Sequence, residues 1–294
     1  MISTVTVFEP IFSEKSVPSD PAFLPYLTNP GDAWREVSHI VKAYRRKLYL
    51  TSDFTGLFSA KFRLKTRITG DEFISFVQKH GGMDVYIANP FPQLSYYSFN
   101  VWMQGEIAHP GLIKRAQSLL DACGIRWNLA NVGRQNHHNL CYSNFWIASE
   151  KFWDAYVGGI LVPIVEFLEK NPASKEALDV FEDTVHTEKA PFLPFIIERL
   201  FSTYLSENPS IRVLPYPLYD NMLDYCTSDF ERDIVQYMKL EVDTADRSPG
   251  FSRNLFDLMY FLCNLHQKYF WDHFSVYPHP HTGRIVNRAI PPVP

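Results

Sequence analysis

A chain of 294 residues with 46% apolar and 20% charged side chains can bury a sizeable core, which excludes an intrinsically disordered segment. A net charge of -4, with no dense Lys/Arg run beside the aromatics, gives no support for a polyanion-binding surface and argues against nucleic acid as a partner. Cys123, Cys141, Cys226 and Cys263 are widely spaced without a C-x-x-C pair, which disfavours a disulfide scaffold or structural zinc site and fits a reducing compartment.

The first residues, Met1-Ile-Ser-Thr-Val, lack the basic start of a secretory signal, and no apolar run reaches the roughly 18 residues a membrane span needs. The expected place is the cytoplasm, and peripheral association with the inner face of the membrane stays compatible with it.

Residues 5–8 read as a first strand, and the proline-rich stretch 16–31 as a loop. Asp32 is expected to cap a helix with apolar positions Trp34, Val37, Ile40, Val41 and Tyr44. Residues 48–58 are strand-like. Thr69-Gly-Asp-Glu72 is a capping box opening a helix that buries Phe73, Phe76 and Val77. Residues 83–88 form a short apolar strand, 111–124 a helix, 125–129 a further strand, and 140–148 another buried strand. A helix from Ser149 meets Pro163, which should interrupt or kink it. Residues 194–205 are amphipathic, with Glu198, Arg199, Ser202 and Thr203 on the polar arc. A last strand over 211–216 precedes helices near 229–240 and 252–270. Alternating strands and helices predict an α/β fold with a largely parallel central sheet covered by helices. The organisation expected is one domain over 1–294, with an α/β core at 1–215 and a helical C-terminal extension at 216–294. Ligands in such sheets bind beyond the carboxyl ends of strands.

No Walker loop, dinucleotide fingerprint, nucleophile elbow or zincin motif is present, so a glycine cradle for phosphate is not expected. Six constellations carry polar chemistry instead. Asp84, with Tyr86 and Asn89 following, presents an acid that would hold a divalent cation against a diphosphate; the plainer reading is a turn-capping Asp. Asp53 lies in the strand-like run 48–58 and the basic Lys61, Arg63 and Lys65 follow it, where amines would neutralise a pyrophosphate leaving group; a solvated loop is the plainer reading. Gln104, Glu106 and His109 crowd a Gly/Pro-punctuated segment suited to a sugar subsite. Asn144 lies in an apolar run and must satisfy its amide from backbone or ligand. Glu198 and Arg199 combine a candidate general base with an orienting cation, although periodicity alone favours a solvated face. His279 and His281, with Arg284, close the set as a weak metal pair.

Four stretches, in this order, resemble segments of a group of bacterial proteins from capsule and O-antigen loci: Asp53-Phe-Thr-Gly-Leu-Phe-Ser-Ala-Lys61-Phe, Asp84-Val-Tyr-Ile-Ala-Asn89-Pro-Phe, Tyr142-Ser-Asn144-Phe-Trp-Ile-Ala-Ser-Glu-Lys-Phe-Trp, and Phe195-Ile-Ile-Glu198-Arg199-Leu-Phe-Ser-Thr-Tyr-Leu. That group is similar to capsular-polysaccharide glycosyltransferases with a GT-A-like fold. The match covers about residues 30 to 210, and the order and spacing of the stretches carry it.

The resemblance implies a nucleotide-sugar donor, Mg²⁺ or Mn²⁺ in many relatives, and a glycan or lipid-linked acceptor. Under it, Asp84 sits at the diphosphate or metal, Asn144 on the sugar side, Glu198 near the acceptor as base, and Lys61 and Arg199 against donor charge. The second Asp expected after Asp84 is missing, which leaves metal dependence open. Two other readings stand beside sugar transfer: a non-catalytic carbohydrate or nucleotide binder, and a glycoside hydrolase using Asp53 and Glu198 as a carboxylate pair.

Overall fold

The computed structural model describes residues 3–29, 34–248, 250–280 and 283–286. Six strands form one mixed sheet: β1 (Val5–Ile11), β2 (Leu24–Leu27), β3 (Phe54–Leu57), β4 (Val85–Ile87), β5 (Trp146–Ser149) and β6 (Val213–Pro215), in the order β2-β1-β3-β5-β4-β6. Three pairings are parallel, β1 with β2, β1 with β3 and β4 with β6. Only β5 runs against its neighbours β3 and β4. The expected α/β class holds, with this one reversed strand as the qualification.

The helices are α1 (Glu36–Arg45), α2 (Phe62–Thr66), α3 (Gly70–Lys79), α4 (Val101–Ala108), α5 (Leu112–Ala122), α6 (Glu150–Phe152), α7 (Val162–Lys170), α8 (Lys175–Phe181), α9 (Phe192–Glu207), α10 (Asp229–Asp246) and α11 (Arg253–Phe274), with a π-helical segment Trp153–Leu161 joining α6 to α7. Alternation along the strands sends neighbours to opposite faces. Phe8, Leu57, Val85, Ile87, Trp146 and Ala148 meet α1, α5, α9 and the π segment on one face. Val7, Phe54, Phe58, Tyr86 and Ile147 meet α2 and α3 on the other. There Phe58, Phe62 and Phe145 pack at centroid distances of 4.8 to 5.5 Å; each such pair adds about 0.5–1.5 kcal/mol beyond its area. Beyond β6 the chain is helical, and α10 and α11 pack on the Pro92–Tyr96 turn and on α4.

The capping box is present: Thr69 accepts from the Glu72 amide while Glu72 receives the Thr69 amide. Several local expectations give way to tertiary context. The stretch 16–31 contains β2, which tolerates Pro25 because it lies at the sheet edge. Residues 125–129 are not a strand, since Gln117 on α5 binds both the Trp127 carbonyl and the Leu129 amide. The expected strand 140–148 begins only at Trp146, because Ser143 and Asn144 take left-handed backbone angles (φ 65° and 53°) that end strand geometry. Pro163 does not break its helix; it stands in the first turn of α7, where hydrogen bonding changes from π to α. The expected cap Asp32 lies outside the described residues.

The polar arc read on α9 is also mostly interior. Arg199, Ser202 and Thr203 are buried. Trp102 donates its indole N–H to Thr203 at 2.8 Å, so buried polar atoms find buried partners.

Candidate functional site

A cleft of about 610 Å³ opens at the carboxyl ends of β1 and β3, against the segment that enters β5. α1, α2 and α9 bring Glu36, Lys61, Lys65 and Glu198 to it, the loop before β5 brings Ser143 and Asn144, and Phe12, Phe91 and Phe195 add apolar wall. It is where the rule for open sheets places a ligand.

Five hydrogen bonds build the charged wall. Asn144 Nδ2 donates to Glu36 Oε2 at 3.1 Å. The Ser143 amide donates to Glu198 Oε1 at 2.7 Å, and Lys65 Nζ donates to Ser143 Oγ at 2.7 Å. The loop carrying Ser143 and Asn144 is itself tied down: Asn89 Oδ1 accepts from the Tyr142 amide at 3.4 Å, and Ser202 Oγ on α9 accepts from the Cys141 amide at 2.9 Å.

Arg35 (φ 46°), Ser143 and Asn144 account for three of the five described non-glycine residues with positive φ, and all three line this cleft. Such backbone costs of the order of 1–3 kcal/mol per residue and concentrates at working sites.

The electrostatics follow from burial. Glu36 is held above the ordinary carboxylate value of 4.5, chiefly by desolvation, with the Asn144 hydrogen bond and Lys65 opposing. Lys65 is held below its ordinary 10.5, again chiefly by desolvation, with Glu198 and Glu36 opposing. Two amines and two carboxylates therefore face one partly dry space. Lys65 also stands 5.4 Å from the centre of the Phe91 ring.

A second cavity of about 270 Å³ lies across Glu198 and shares Phe91, His186 and Phe195 with the first. Gln104, His109 and Arg199 line it. Arg199 is fully engaged: Nε donates to the Val101 carbonyl at 3.0 Å, Nη1 to the Phe195 carbonyl at 2.7 Å and Nη2 to Gln104 Oε1 at 2.5 Å. Its Nη1 also stands 3.8 Å from Glu198 Oε2. His109 is buried beneath Phe195 at a centroid distance of 3.9 Å, its Nδ1 against the Val185 carbonyl, and burial holds its pKa well below 6.5.

Of the sequence-predicted residues, Lys61, Asn144 and Glu198 meet in the larger cleft, and Gln104, His109 and Arg199 line the smaller one. The others do not join them. Asp84 precedes β4 and accepts from Arg212 Nη2 and Nε at 2.9 and 3.1 Å, which pushes its pKa down. Asp53 precedes β3 and accepts from the Thr4 amide at 2.8 Å. Register puts both at the sheet edge where Ser149 ends β5, opposite the cleft. The assignments of Asp84 to a metal or diphosphate and of Asp53 to catalysis are corrected accordingly, as is the Asp53–Glu198 carboxylate pair.

Glu106 accepts the amides of Gly111 and Ile113 at 2.7 and 2.8 Å and caps α5. Asn89 positions the loop rather than lining either cavity. Among the described residues no group of three or more His, Cys, Asp or Glu side chains is placed to hold a metal ion. His281 lies outside the described residues.

Sequence reasoning missed Glu36, read only as part of an amphipathic helix, and named Lys65 without separating it from its neighbours. Glu36 in a first helical turn after a proline-rich loop was the available signal. No family model, curated protein or solved structure matches the chain. Among the described residues no helix is long and apolar enough to cross a membrane.

Proposed function

We propose that this chain transfers a sugar from a nucleotide-sugar donor held in the larger cleft to a hydroxylated acceptor. The observation that carries the reading is the meeting of Lys61 and Lys65 with Glu36, Glu198 and Asn144 at the carboxyl edge of the sheet. The four ordered stretches support it as well, since each supplies residues to this cleft.

In the proposed step, Glu198 takes the proton of an acceptor hydroxyl. The hydroxyl oxygen forms a bond to the anomeric carbon, and the bond from that carbon to the phosphate oxygen breaks. The electron pair leaves with the nucleoside phosphate, whose charge lies against Lys61 and Lys65. Asn144 takes a sugar hydroxyl, and the left-handed Ser143–Asn144 backbone fixes its direction. These amines do the electrostatic work that a cation does in many sugar transferases, and no step is routed through a metal.

The expected setting is cytoplasmic, with capsule or O-antigen assembly as the pathway class that the resemblance suggests. Purified protein with UDP-, GDP-, CMP- and dTDP-sugars and glycoside acceptors should release nucleotide from one donor class, with Glu198→Gln lowering the rate about 10²–10⁴-fold. No nucleotide release from any donor would end the proposal.

A second reading rests on Glu36. A carboxyl whose pKa is raised by burial near a second carboxyl is the arrangement of a glycoside hydrolase acid and its partner. Release of aglycone from chromogenic glycosides without nucleotide release would select it.

A further inference from the structure

We propose that the 270 Å³ cavity is the acceptor subsite and takes one neutral pyranose unit. This rests on the sugar-transfer reading of the larger cleft and adds where the second substrate sits.

Glu198 lines both cavities, as do Phe91, His186 and Phe195, so a hydroxyl in the smaller cavity and an anomeric carbon in the larger one meet at Glu198. A base shared by two chambers is what transfer between two bound sugars requires.

Both buried ions on the smaller cavity's wall are already used. Arg199 spends its guanidinium on two carbonyls and Gln104. Glu231 accepts from Tyr97 Oη at 2.6 Å, Gln93 Nε2 at 3.1 Å and the Thr227 amide at 2.6 Å. Among the described residues lining this cavity, a phosphate or carboxylate ligand would find no Lys and no Arg other than the engaged Arg199, whereas neutral hydroxyls match what is left.

Tyr142 and Gln93 line this cavity and are 3% and 2% exposed, yet Tyr142 Oη and Gln93 Oε1 have no hydrogen-bond partner among the described residues. A buried oxygen without a partner costs about 1–3 kcal/mol. One donor-acceptor oxygen and one acceptor oxygen, beside the rings of Phe195, Phe270 and Trp271, are the complement of a sugar: hydroxyls at the rim and an apolar face.

The test uses Tyr142→Phe and Thr187→Trp. The first deletes only the partnerless hydroxyl, and the second, from residue 187 on the cavity wall, fills space. Acceptor KM, donor KM and donor hydrolysis without acceptor are measured for each, together with thermal stabilisation by a panel of methyl glycosides. Tyr142→Phe should raise acceptor KM about tenfold and leave donor KM and acceptor-free hydrolysis unchanged. Its unfolding midpoint without ligand should be equal or higher, an outcome a merely structural hydroxyl would not produce. Thr187→Trp should abolish acceptor use and glycoside stabilisation.

Unchanged acceptor KM and glycoside binding in both variants would overturn the subsite while leaving the donor reading intact. A wild type that cleaves no donor would instead overturn the transferase reading, and the subsite with it.

Discussion

Gly105→Ala is the sharpest test of how the wall between the two cavities is built. Gly105 lies in α4, where Ala outranks Gly by about 1 kcal/mol, so helix propensity alone predicts stabilisation. The packing predicts the opposite. A Cβ there would fall 2.6 Å from Leu112 Cδ2 and 2.9 Å from Arg199 Cδ, and closer still to Arg199 Nε. Carbon contacts normally sit at about 3.5–4.0 Å, so Arg199 must withdraw.

Arg199 is 2% exposed and Nε holds the Val101 carbonyl, so withdrawal breaks at least that bond in a site water cannot rescue. A hydrogen bond to a charged group contributes about 1.5–3 kcal/mol, and a stranded buried charge costs about 3–5 kcal/mol. Either exceeds the propensity gain, leaving a net loss of about 0.5–4 kcal/mol. Urea unfolding followed by far-ultraviolet circular dichroism, at constant slope, reads that loss as a lower midpoint. A variant more stable than the wild type would refute the packed clamp around Arg199.

Other outcomes follow from the same geometry. Glu36→Gln should raise the unfolding midpoint at pH 7, because the raised carboxyl loses stability as pH climbs from 4.5 through its folded value. The gain should vanish toward pH 4.5, where the wild-type carboxyl is protonated as well; a pH-independent difference would contradict this. Lys65→Met should likewise gain stability at pH 7, with the gain shrinking as pH rises toward 10.5, where the unfolded state too releases its proton; scanning calorimetry across that range checks the trend. Asp84→Asn should cost under about 1 kcal/mol, since its partner Arg212 is largely exposed, and should leave nucleotide binding and its cation response unchanged. Loss of nucleotide binding in that variant would return Asp84 to the site.

What could be read from the chain was whatever depends on neighbours in sequence. The Thr69–Glu72 capping box, the long helices and the strands near 5–8, 83–88 and 211–216 are local, and they stand. Lys61, Asn144 and Glu198 were legible because each breaks a local pattern: an amine after a strand, an amide in an apolar run, an acid at a helix edge. Asp53 and Asp84 break patterns too, but each precedes its strand. On the sequence both fell inside strand-like runs, 48–58 and 83–88, and the carboxyl-end rule pointed toward them; the shorter strands Phe54–Leu57 and Val85–Ile87 put both at the opposite end.

Glu36 and Lys65 were harder, because their environment is created by segments about 80 to 160 residues away. No local signal marks desolvation by a distant helix. Arg199 was misplaced for the same reason: helical periodicity put it on a polar arc, while α4 turns that arc into interior. The tethering of the 140–145 loop by Asn89 and Ser202 joins segments about 50–60 residues apart, which no propensity reports.

The central claim is that a nucleotide-sugar occupies the cleft between Lys61, Lys65, Glu36 and Glu198. Thermal unfolding of wild type and Lys65→Met against UDP, GDP, CMP, dTDP and their sugars measures it directly. The account predicts that one nucleotide class stabilises the wild type in a concentration-dependent way, by about 2.7 kcal/mol at a hundredfold excess over its Kd, and that Lys65→Met binds it at least tenfold more weakly. Equal binding by both proteins, or no stabilisation of the wild type by any member of the panel, would contradict it.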